Sequence, residues 1–325
     1  MSDKPRWEVP VAQQPRPEEL RFDLAKVLRS VVSVEAEIPE DAFTAQILGT
    51  ERAGSGVVIA DTGLVLTIGY LITEAENVWL KGADGRVTPA HPIAIDSESG
   101  FGLVQALGKL DLPPIKLGRS KLAPVGEPVI VAGGGGLSQA VRARIVAKQE
   151  FSGYWEYHLD EGIFTAPAHP LWGGAAVIGP DGELLGIGSL HVQQTTGRGD
   201  GEDINMIVPI DLLPPRLGDM LKYGRPNKPA RPWLGVYSTE SGGRVVVADV
   251  SEEGPAGAAG LRAGDIIASV RDRAVDTLAD FYKEVWACGP AGAEVPIEIV
   301  REKRNVWLRI KSADRTSLLR KPRLN

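Results

Sequence analysis

The sequence predicts a mainly β protein, with a long strand-rich part followed by a smaller unit that mixes helices and strands. Across residues 54–190, short apolar runs alternate with turn residues, which is typical of an all-β barrel or sandwich. The 325 residues include 38 Gly and 24 Pro, and this composition suits a fold with many turns. The length also favours two domains over one.

The strand-rich part divides into recognisable segments. Residues 1–24 carry four prolines and many charges, so we expect a flexible N-terminal arm. A short helix is predicted near residues 22–30, and residues 57–66 (VVIADTGLVL) predict a hairpin around the central DTG. Further strands are predicted at 128–132 (PVIVA) and 204–210 (INMIVPI), and a helix at 212–223.

A proline-rich and basic stretch, residues 224–232, is the predicted linker. The unit after it, residues 233–312, shows a strand at 244–250, a short helix at 255–261 and a strand at 264–270. It continues with an amphipathic helix at 277–288 and a final hairpin within 294–310. Residues 313–325 are basic and are expected to form a disordered tail.

Bulk properties restrict the function classes. The net charge of −6 gives no support for binding to nucleic acid or to an anionic membrane. The single cysteine, Cys288, excludes an intramolecular disulfide. The first residues lack the apolar core of a signal peptide, so the expected location is the cytoplasm. No run of 18 apolar residues occurs, so no transmembrane segment is predicted.

Several motifs follow one another in the order seen in HtrA-type (DegP-like) serine proteases, which this chain resembles. They are residues 54–59 (GSGVVI), 96–104 (DSESGFGLV), 116–120 (KLGRS), 168–178 (AHPLWGGAAVI) with 181–187 (DGELLGI), and 207–210 (IVPI). The resemblance implies a trypsin-like double six-stranded β-barrel over residues 25–223. Its active members form trimers and are typically exported. A homo-trimer, a hetero-oligomer with an active HtrA protease, and a periplasmic location are therefore the expectations from the family.

The resemblance fails at the catalytic positions. The family's histidine, aspartate and serine fall on Tyr70, Gly100 (or Phe101 with a shift of one residue) and Trp172. A serine protease needs a hydroxyl nucleophile, an imidazole base and a carboxylate that orients it. One of the usual oxyanion-hole donors falls on Pro170, which has no N–H. These residues predict a pseudoprotease that is not an enzyme.

Two other readings of the cleft remain open. A relocated hydrolytic site would draw on Ser189, His191 and His169. A metal or ligand site would use His169, or a cluster of neighbouring residues, His158, Asp160 and Glu161. No histidine or cysteine pair has the spacing of a common metal motif, so no metal or other cofactor is predicted.

The second unit resembles the PDZ domain that follows the protease unit in this family. Residues 231–236 (RPWLGV) and 259–267 (AGLRAGDII) carry the resemblance. A PDZ groove binds an extended chain end by strand addition and captures its carboxylate with backbone N–H groups. Phe281 and Val285 are further candidates for helix residues that line the apolar pocket of this groove. The predicted peptide-binding residues are Arg231, Trp233, Leu234, Gly235, Val236, Leu278 and Tyr282.

The sequence therefore predicts a catalytically inactive HtrA-like scaffold or regulator. Its PDZ domain would bind peptide C-termini or unfolded segments, in a chaperone-like role in protein quality control. The alternative is a serine-type endopeptidase of the HtrA family with an unorthodox active site.

Overall fold

The structure is a computed structural model that describes residues 7–195 and 201–320. Its contacts divide the chain into two compact units. The first contains Met1–Gln149, Glu161–Asn227 and Arg320–Asn325, and the second contains Glu150–Asp160 and Lys228–Leu319. Among the described residues, no helix combines the length and apolar character needed to cross a membrane.

Two closed barrels are formed by the first twelve strands of the described chain, as predicted. The first barrel has the order β1-β2-β3-β6-β5-β4. Its strands are β1 Val31–Glu37, β2 Glu51–Ala60, β3 Leu64–Ile68, β4 Asn77–Lys81, β5 Val87–Ile95 and β6 Phe101–Ala106. The predicted hairpin is present, with Val57 paired to Leu66 and Gly63 in the turn at a φ of 79°.

The second barrel has the order β10-β11-β12-β9-β8-β7. Its strands are β7 Pro128–Ala132, β8 Ala140–Gly153, β9 Tyr157–Ala166, β10 Ala176–Ile178, β11 Leu184–Thr195 and β12 Gly201–Pro209. The ends of β8 and β9, with the turn that joins them, are the residues 150–160 assigned to the second unit. Below they are called the hairpin tip.

Helices are short in the first unit. They are α1 Leu24–Leu28, α2 Ala45–Leu48 and α3 Pro214–Tyr223. The side chain of Asp23 caps α1 by accepting a hydrogen bond from the N–H of Lys26. Gly224 ends α3 in the left-handed conformation.

The chain termini differ from the sequence expectation where the structure describes them. Val9, within the stretch expected to be a flexible arm, is 2% exposed and packs into the core of the second barrel. Its N–H donates to the carbonyl of Ser138 at 2.9 Å. In the basic tail, the N–H of Arg320 donates to Glu74 at 2.8 Å and its guanidinium contacts Asp41. An apolar anchor, Val9, and a buried acceptor, Glu74, hold segments whose composition alone suggests disorder.

The second unit contains one sheet in the described chain, with the order β13-β14-β15-β17-β18 and β16 paired to β15. Its strands are β13 Val236–Glu240, β14 Val245–Val250, β15 Ile266–Val270, β16 Arg273–Ala274, β17 Glu294–Arg301 and β18 Arg304–Lys311. Its helices are α4 Pro255–Ala258 and α5 Leu278–Trp286. The apolar face of α5 packs into the core, and Phe281 and Val285 are almost fully buried.

Candidate functional site

A cleft of about 490 Å³ lies between the two barrels of the first unit. One wall comes from β1, β2 and the 3-10 turn Gly69–Leu71, and the other from the loops before β8 and β10. The lining residues are Trp7, Ser33, Val34, Glu35, Ala53, Gly54, Ser55, Tyr70, Leu71, Gly133, Gly134, Gln139, Pro170, Leu171, Trp172 and Gly173. Predicted positions Tyr70, Pro170 and Trp172 thus share one cleft.

The loop before β10 is held against β2. The N–H of Ser55 donates to the carbonyl of Gly173 at 2.8 Å, and the N–H of Gly174 donates to Gly188 at 2.8 Å. Gly174 has a φ of 77°, and a Cβ there would lie 1.8 Å from the carbonyl oxygen of Ser55. Only glycine fits so close an approach. The loop geometry therefore presents Trp172 to the cleft.

Tyr70 is a hydrogen-bonded structural residue at the position of the family's histidine. Its hydroxyl donates to the carbonyl of Ser189 at 2.9 Å, and its own carbonyl accepts from Arg52 at 2.7 Å. Burial raises the pKa of Tyr70 well above its ordinary value, although a hydrogen bond with Trp172 opposes the shift. The phenol stays protonated and cannot serve as a base near neutral pH.

Gly100, at the position of the family's aspartate, supplies backbone only. It has a φ of 84°, and its carbonyl accepts from the N–H of Gly69 at 2.6 Å. The nearby carboxylate of Asp96 is 1% exposed, accepts from the Ser99 hydroxyl at 2.6 Å and pairs with Arg216 at 3.2 Å. That carboxylate is therefore occupied in holding the loop.

His169 is fully buried. Its Nε2 lies 3.0 Å from the carbonyl oxygen of Gln139, and its Nδ1 accepts from the N–H of Leu171 at 3.0 Å. These partners assign the proton to Nε2. Burial lowers the pKa of His169, against the effect of the Gln139 carbonyl. Both ring nitrogens are engaged, so His169 acts as a neutral support of the loop.

A second histidine adjoins the loop. His191 on β11 lies with its ring centroid 5.3 Å from that of Trp172. Its Nε2 is 3.5 Å from a carboxylate oxygen of Asp203 on β12. Ser189 precedes it by two residues, at a register shift between Gly188 and Leu190. His191 and Asp203 thus place an imidazole beside a carboxylate, close to the altered nucleophile position at Trp172.

The residues considered as a metal cluster make other contacts. His158 Nδ1 lies 3.0 Å from the hydroxyl of Ser152, and its Nε2 lies 3.2 Å from Asp160. Glu161 pairs with Lys148 at 3.4 Å. Over residues 7–195 and 201–320, no group of three or more His, Cys, Asp or Glu residues is arranged to hold a metal ion.

In the second unit, the predicted carboxylate-binding loop holds a carboxylate. The N–H groups of Gly235 and Val236 donate to Oε1 of Glu156 at 2.7 and 3.0 Å. The N–H of Leu234 lies 3.2 Å from Oε1 and 3.0 Å from Oε2. Gly235 adopts a φ of 78°, which turns these N–H groups toward one point. We call residues 234–236 the carboxylate loop.

Two predicted loop residues have other roles. The N–H of Trp233 donates to the carbonyl of Ala313 at 3.0 Å, and the N–H of Ala313 donates back to Trp233 at 3.0 Å. The loop therefore offers Glu156 three N–H groups instead of the expected four. The guanidinium of Arg231 lies 4.0 Å from the ring centroid of Trp286, as a cation–π contact.

On α5, Leu278 is 7% exposed and its N–H donates to Glu240 at 2.7 Å. Tyr282 is 1% exposed. Its hydroxyl donates to the carbonyl of Gly153 at 2.8 Å and accepts from the N–H of Glu156 at 3.3 Å. Tyr282 thus contacts the hairpin tip, whereas Leu278 belongs to the core.

The environment of Glu156 favours protonation. Burial raises the pKa of Glu156 to about 7, against the backbone N–H groups of Val236, Leu234 and Gly235 and the charge of Arg315. The ionisable groups that interact with this cluster are Arg315, Tyr237, Tyr282 and, through Tyr282, Glu240.

Comparison with known families identifies both parts. The family described as "Trypsin-like peptidase domain" matches residues 54–187, and the family described as "PDZ domain" matches residues 232–311. The chain is HtrA/DegP-like: a trypsin-like domain followed by a PDZ domain. The mainly β fold and its two parts are therefore as predicted.

Among curated relatives, the HtrA/DegP-like chain is 30% identical over 275 residues to a probable periplasmic serine endoprotease DegP-like of Pseudomonas fluorescens. That match covers 80% of this chain and 56% of the relative. It is 26% identical over 268 residues to the periplasmic serine endoprotease DegP of Escherichia coli, covering 78% and 55%. The chain thus spans about half the length of these relatives.

Solved structures show the same fold. The HtrA-type protease AlgW with tripeptide has a TM-score of 0.52 at 22% identity, covering 92% of this chain and 97% of that one. The serine endoprotease from Yersinia pestis also has a TM-score of 0.52 at 22% identity, covering 89% and 95%.

These findings correct two predictions for the HtrA/DegP-like chain. The relatives are named serine endoproteases, so the prediction that it is not an enzyme is wrong. The changes at Tyr70, Gly100 and Trp172 stand in the sequence, but inactivity does not follow from them, since other residues can supply a nucleophile, a base and a carboxylate. The relatives are also named periplasmic, and the predicted cytoplasmic location has no support.

Sequence reasoning missed two features of the HtrA/DegP-like chain. Gln139 and Ser55 line the cleft through contacts with distant segments. Glu156 meets a loop that lies 78–80 residues further along the chain. An acidic residue in a turn carries no signal of such a partner. Its one local mark is a positive φ of 59°, which only the structure reveals.

Proposed function

We propose that this chain is a serine-type endopeptidase of the HtrA family with an unorthodox active site. The observation that carries the proposal is the His191–Asp203 pair beside Trp172, because it joins a base to an orienting carboxylate next to the altered nucleophile position. The names of the relatives support the reaction class.

His191 is the better base of the two histidines near the loop. Its side chain is 30% exposed, so it can exchange protons with substrate and water. An imidazole that takes a proton from a hydroxyl typically contributes about 10²–10⁴-fold to rate. Asp203 lies 3.5 Å from one ring nitrogen, on the side from which a carboxylate orients the ring. His169 has no free nitrogen for this task.

Ser189 is the proposed nucleophile. It lies two residues before His191 on β11, where the register shift interrupts the regular ladder. Such irregularities re-aim side chains and are frequent next to active sites. Its carbonyl is held by the Tyr70 hydroxyl, which connects it to the cleft lining. Ser189 is 4% exposed, so substrate binding must open access to its hydroxyl.

A cleavage assay on the purified full chain tests this proposal. Casein and a chemically unfolded protein would serve as substrates, with a serine-reactive phosphonate as probe. We expect Ser189→Ala to abolish labelling and His191→Gln to slow cleavage by about 10²–10⁴-fold. Ser55→Ala is the matched control, since Ser55 lines the same cleft. Absence of cleavage and labelling in the unmodified chain, or loss of both only in Ser55→Ala, would contradict the assignment.

We further propose that the PDZ domain binds peptide C-termini or exposed ends of unfolded proteins. The support is a loop whose three N–H groups already hold a carboxylate. A labelled peptide with a free C-terminus should bind, and the same peptide with an amidated C-terminus should not. Equal binding of the two would contradict carboxylate capture.

The relatives' names and the family's usual assembly support a location and an oligomeric state for this chain. We propose a periplasmic protein that forms a homo-trimer or a hetero-oligomer with an active HtrA protease. Light scattering of the purified chain, alone and mixed with such a protease, tests assembly. A monomer under both conditions would contradict it.

A further inference from the structure

The carboxylate in the carboxylate loop belongs to the chain itself. Glu156 lies in the turn of the hairpin tip, and both of its oxygens accept backbone N–H groups from residues 234–236. A bound chain end would present its terminal carboxylate to these same donors. The two carboxylates cannot occupy one set of N–H groups together.

Backbone contacts of the tip follow the register of an added strand. The N–H of Ser238 donates to the carbonyl of Tyr154 at 2.9 Å. Tyr154 lies two residues before Glu156, and Ser238 lies two residues after Val236. Equal steps in opposite chain directions are the register of an antiparallel pair. β13 is at the edge of the described sheet, so its outer side is available for such an addition.

Side chains reinforce this position. The Tyr282 hydroxyl bridges the Gly153 carbonyl and the Glu156 N–H, at 2.8 and 3.3 Å. The ring of Tyr154 lies 6.1 Å from that of Tyr237 on β13. Glu156 has a φ of 59°, unusual for a residue other than glycine. Such conformations persist where surrounding contacts determine them and are enriched at ligand clamps and switches.

We propose that the hairpin tip is an internal ligand of the PDZ groove, with the Glu156 side chain in place of a terminal carboxylate. A peptide then binds only when the tip has left the groove. This inference rests on the proposed peptide binding by the PDZ domain. The apparent affinity for peptide is reduced by the fraction of molecules whose groove is open.

Glu156 is the main contributor among the acidic residues of the tip. Glu150 also contacts α5, through Lys283 at 2.5 Å, but both side chains are about half exposed. Exposed pairs of this kind contribute little. Three backbone N–H groups on a buried carboxylate are a stronger restraint. Removing the Glu156 carboxylate should therefore open the groove, whereas removing the Glu150 carboxylate should not.

The test uses the full chain and a fluorescein-labelled peptide of the sequence EFSGYWV with a free C-terminus. Its first six letters are residues 150–155, and the terminal valine supplies an α-carboxylate with no side-chain carboxylate at that position. Glu156→Ala should bind this peptide at least tenfold more tightly than the unmodified chain. Glu150→Ala, the matched control, should change the affinity by less than about threefold.

Hydrogen exchange of the N–H groups of residues 234–236 gives a readout that needs no peptide. These groups should be protected in the unmodified chain and should lose protection in Glu156→Ala. Equal exchange in both chains, or equal peptide affinity of the unmodified chain and Glu156→Ala, would overturn the internal ligand. Protection by Glu156 together with no peptide binding by any variant would instead overturn the peptide-binding function on which the inference rests.

Discussion

Replacing Gly235 by alanine should lower the free energy of unfolding by more than the cost of its left-handed backbone conformation alone, and should distort the carboxylate loop. Gly235 has a φ of 78°, and a Cβ there would lie 2.9 Å from the Cα of Gly254 and 3.1 Å from the Trp233 ring. The left-handed conformation costs a residue with a Cβ about 1–2 kcal/mol. Overpacking against backbone adds about 1–3 kcal/mol. The N–H groups of the loop must move as the contact relaxes.

Gly242 provides the matched control for this change. It has a φ of 58°, and a Cβ there meets no atom within 4 Å. Gly242→Ala thus carries the conformational cost without the contact. The two variants are compared by urea unfolding. Hydrogen exchange of peptides from residues 228–319 is the signal that monitors unfolding of the second unit. We expect Gly235→Ala to be less stable than Gly242→Ala by at least about 1 kcal/mol.

Peptide binding gives the second measurement. In a Glu156→Ala background, adding Gly235→Ala should weaken binding of the carboxylate-ended peptide at least tenfold, because the donors no longer converge. Gly242→Ala should leave the affinity unchanged. Equal destabilisation by both glycine changes, with equal peptide affinities, would refute the argument that close packing of Gly235 shapes the loop.

Three further outcomes are expected. Burial raises the pKa of Glu156 to about 7 from an ordinary 4.5, so its docking is strongest below pH 4.5 and weakens as pH rises through 7; peptide affinity of the unmodified chain should therefore rise about tenfold from pH 6 to pH 8 relative to Glu156→Ala. Asp265→Asn should cost about 1–3 kcal/mol in unfolding, because it breaks a paired contact with Arg301 at 2.6 and 2.7 Å around a carboxyl that is 2% exposed. Tyr70→Phe should cost about 1–3 kcal/mol by leaving the Ser189 carbonyl without its donor, and should slow casein cleavage less than tenfold, since the phenol transfers no proton.

Controls separate these effects from nonspecific ones. A constant affinity ratio between the unmodified chain and Glu156→Ala across pH 6–8 would contradict the first. Glu294→Gln breaks an exposed pair with Arg309 and should cost less than about 0.5 kcal/mol; an equal loss in Asp265→Asn would contradict the second. Tyr223 is 48% exposed, so Tyr223→Phe should be neutral, and an equal effect of Tyr70→Phe would contradict the third.

The sequence was sufficient for the two-part fold, because its motifs are local. The hairpin around residues 61–63 and the glycine-bearing loop before β10 each depend on neighbouring residues, and both appear in the structure. The buried face of α5 was predictable from the helical spacing of its apolar residues, and Phe281 and Val285 on that face are buried. Val9 escaped prediction because one apolar residue among prolines and charges gives no periodic pattern.

Site residues were less predictable, because their roles depend on distant partners. His169 is a candidate base by type, but the structure engages both ring nitrogens. Trp233 was expected to donate to a carboxylate and instead pairs with Ala313. The prediction of a non-enzyme gave most weight to the family's catalytic positions. The sequence offered His191 as a member of a relocated site, but its carboxylate neighbour Asp203 follows only from the pairing of β11 with β12.

Mass spectrometry of the phosphonate-labelled full chain locates the nucleophile of the proposed serine-type site. We expect one adduct per chain, on Ser189, and no adduct after His191→Gln. An unlabelled chain, or an adduct on another serine that persists in His191→Gln, would contradict it.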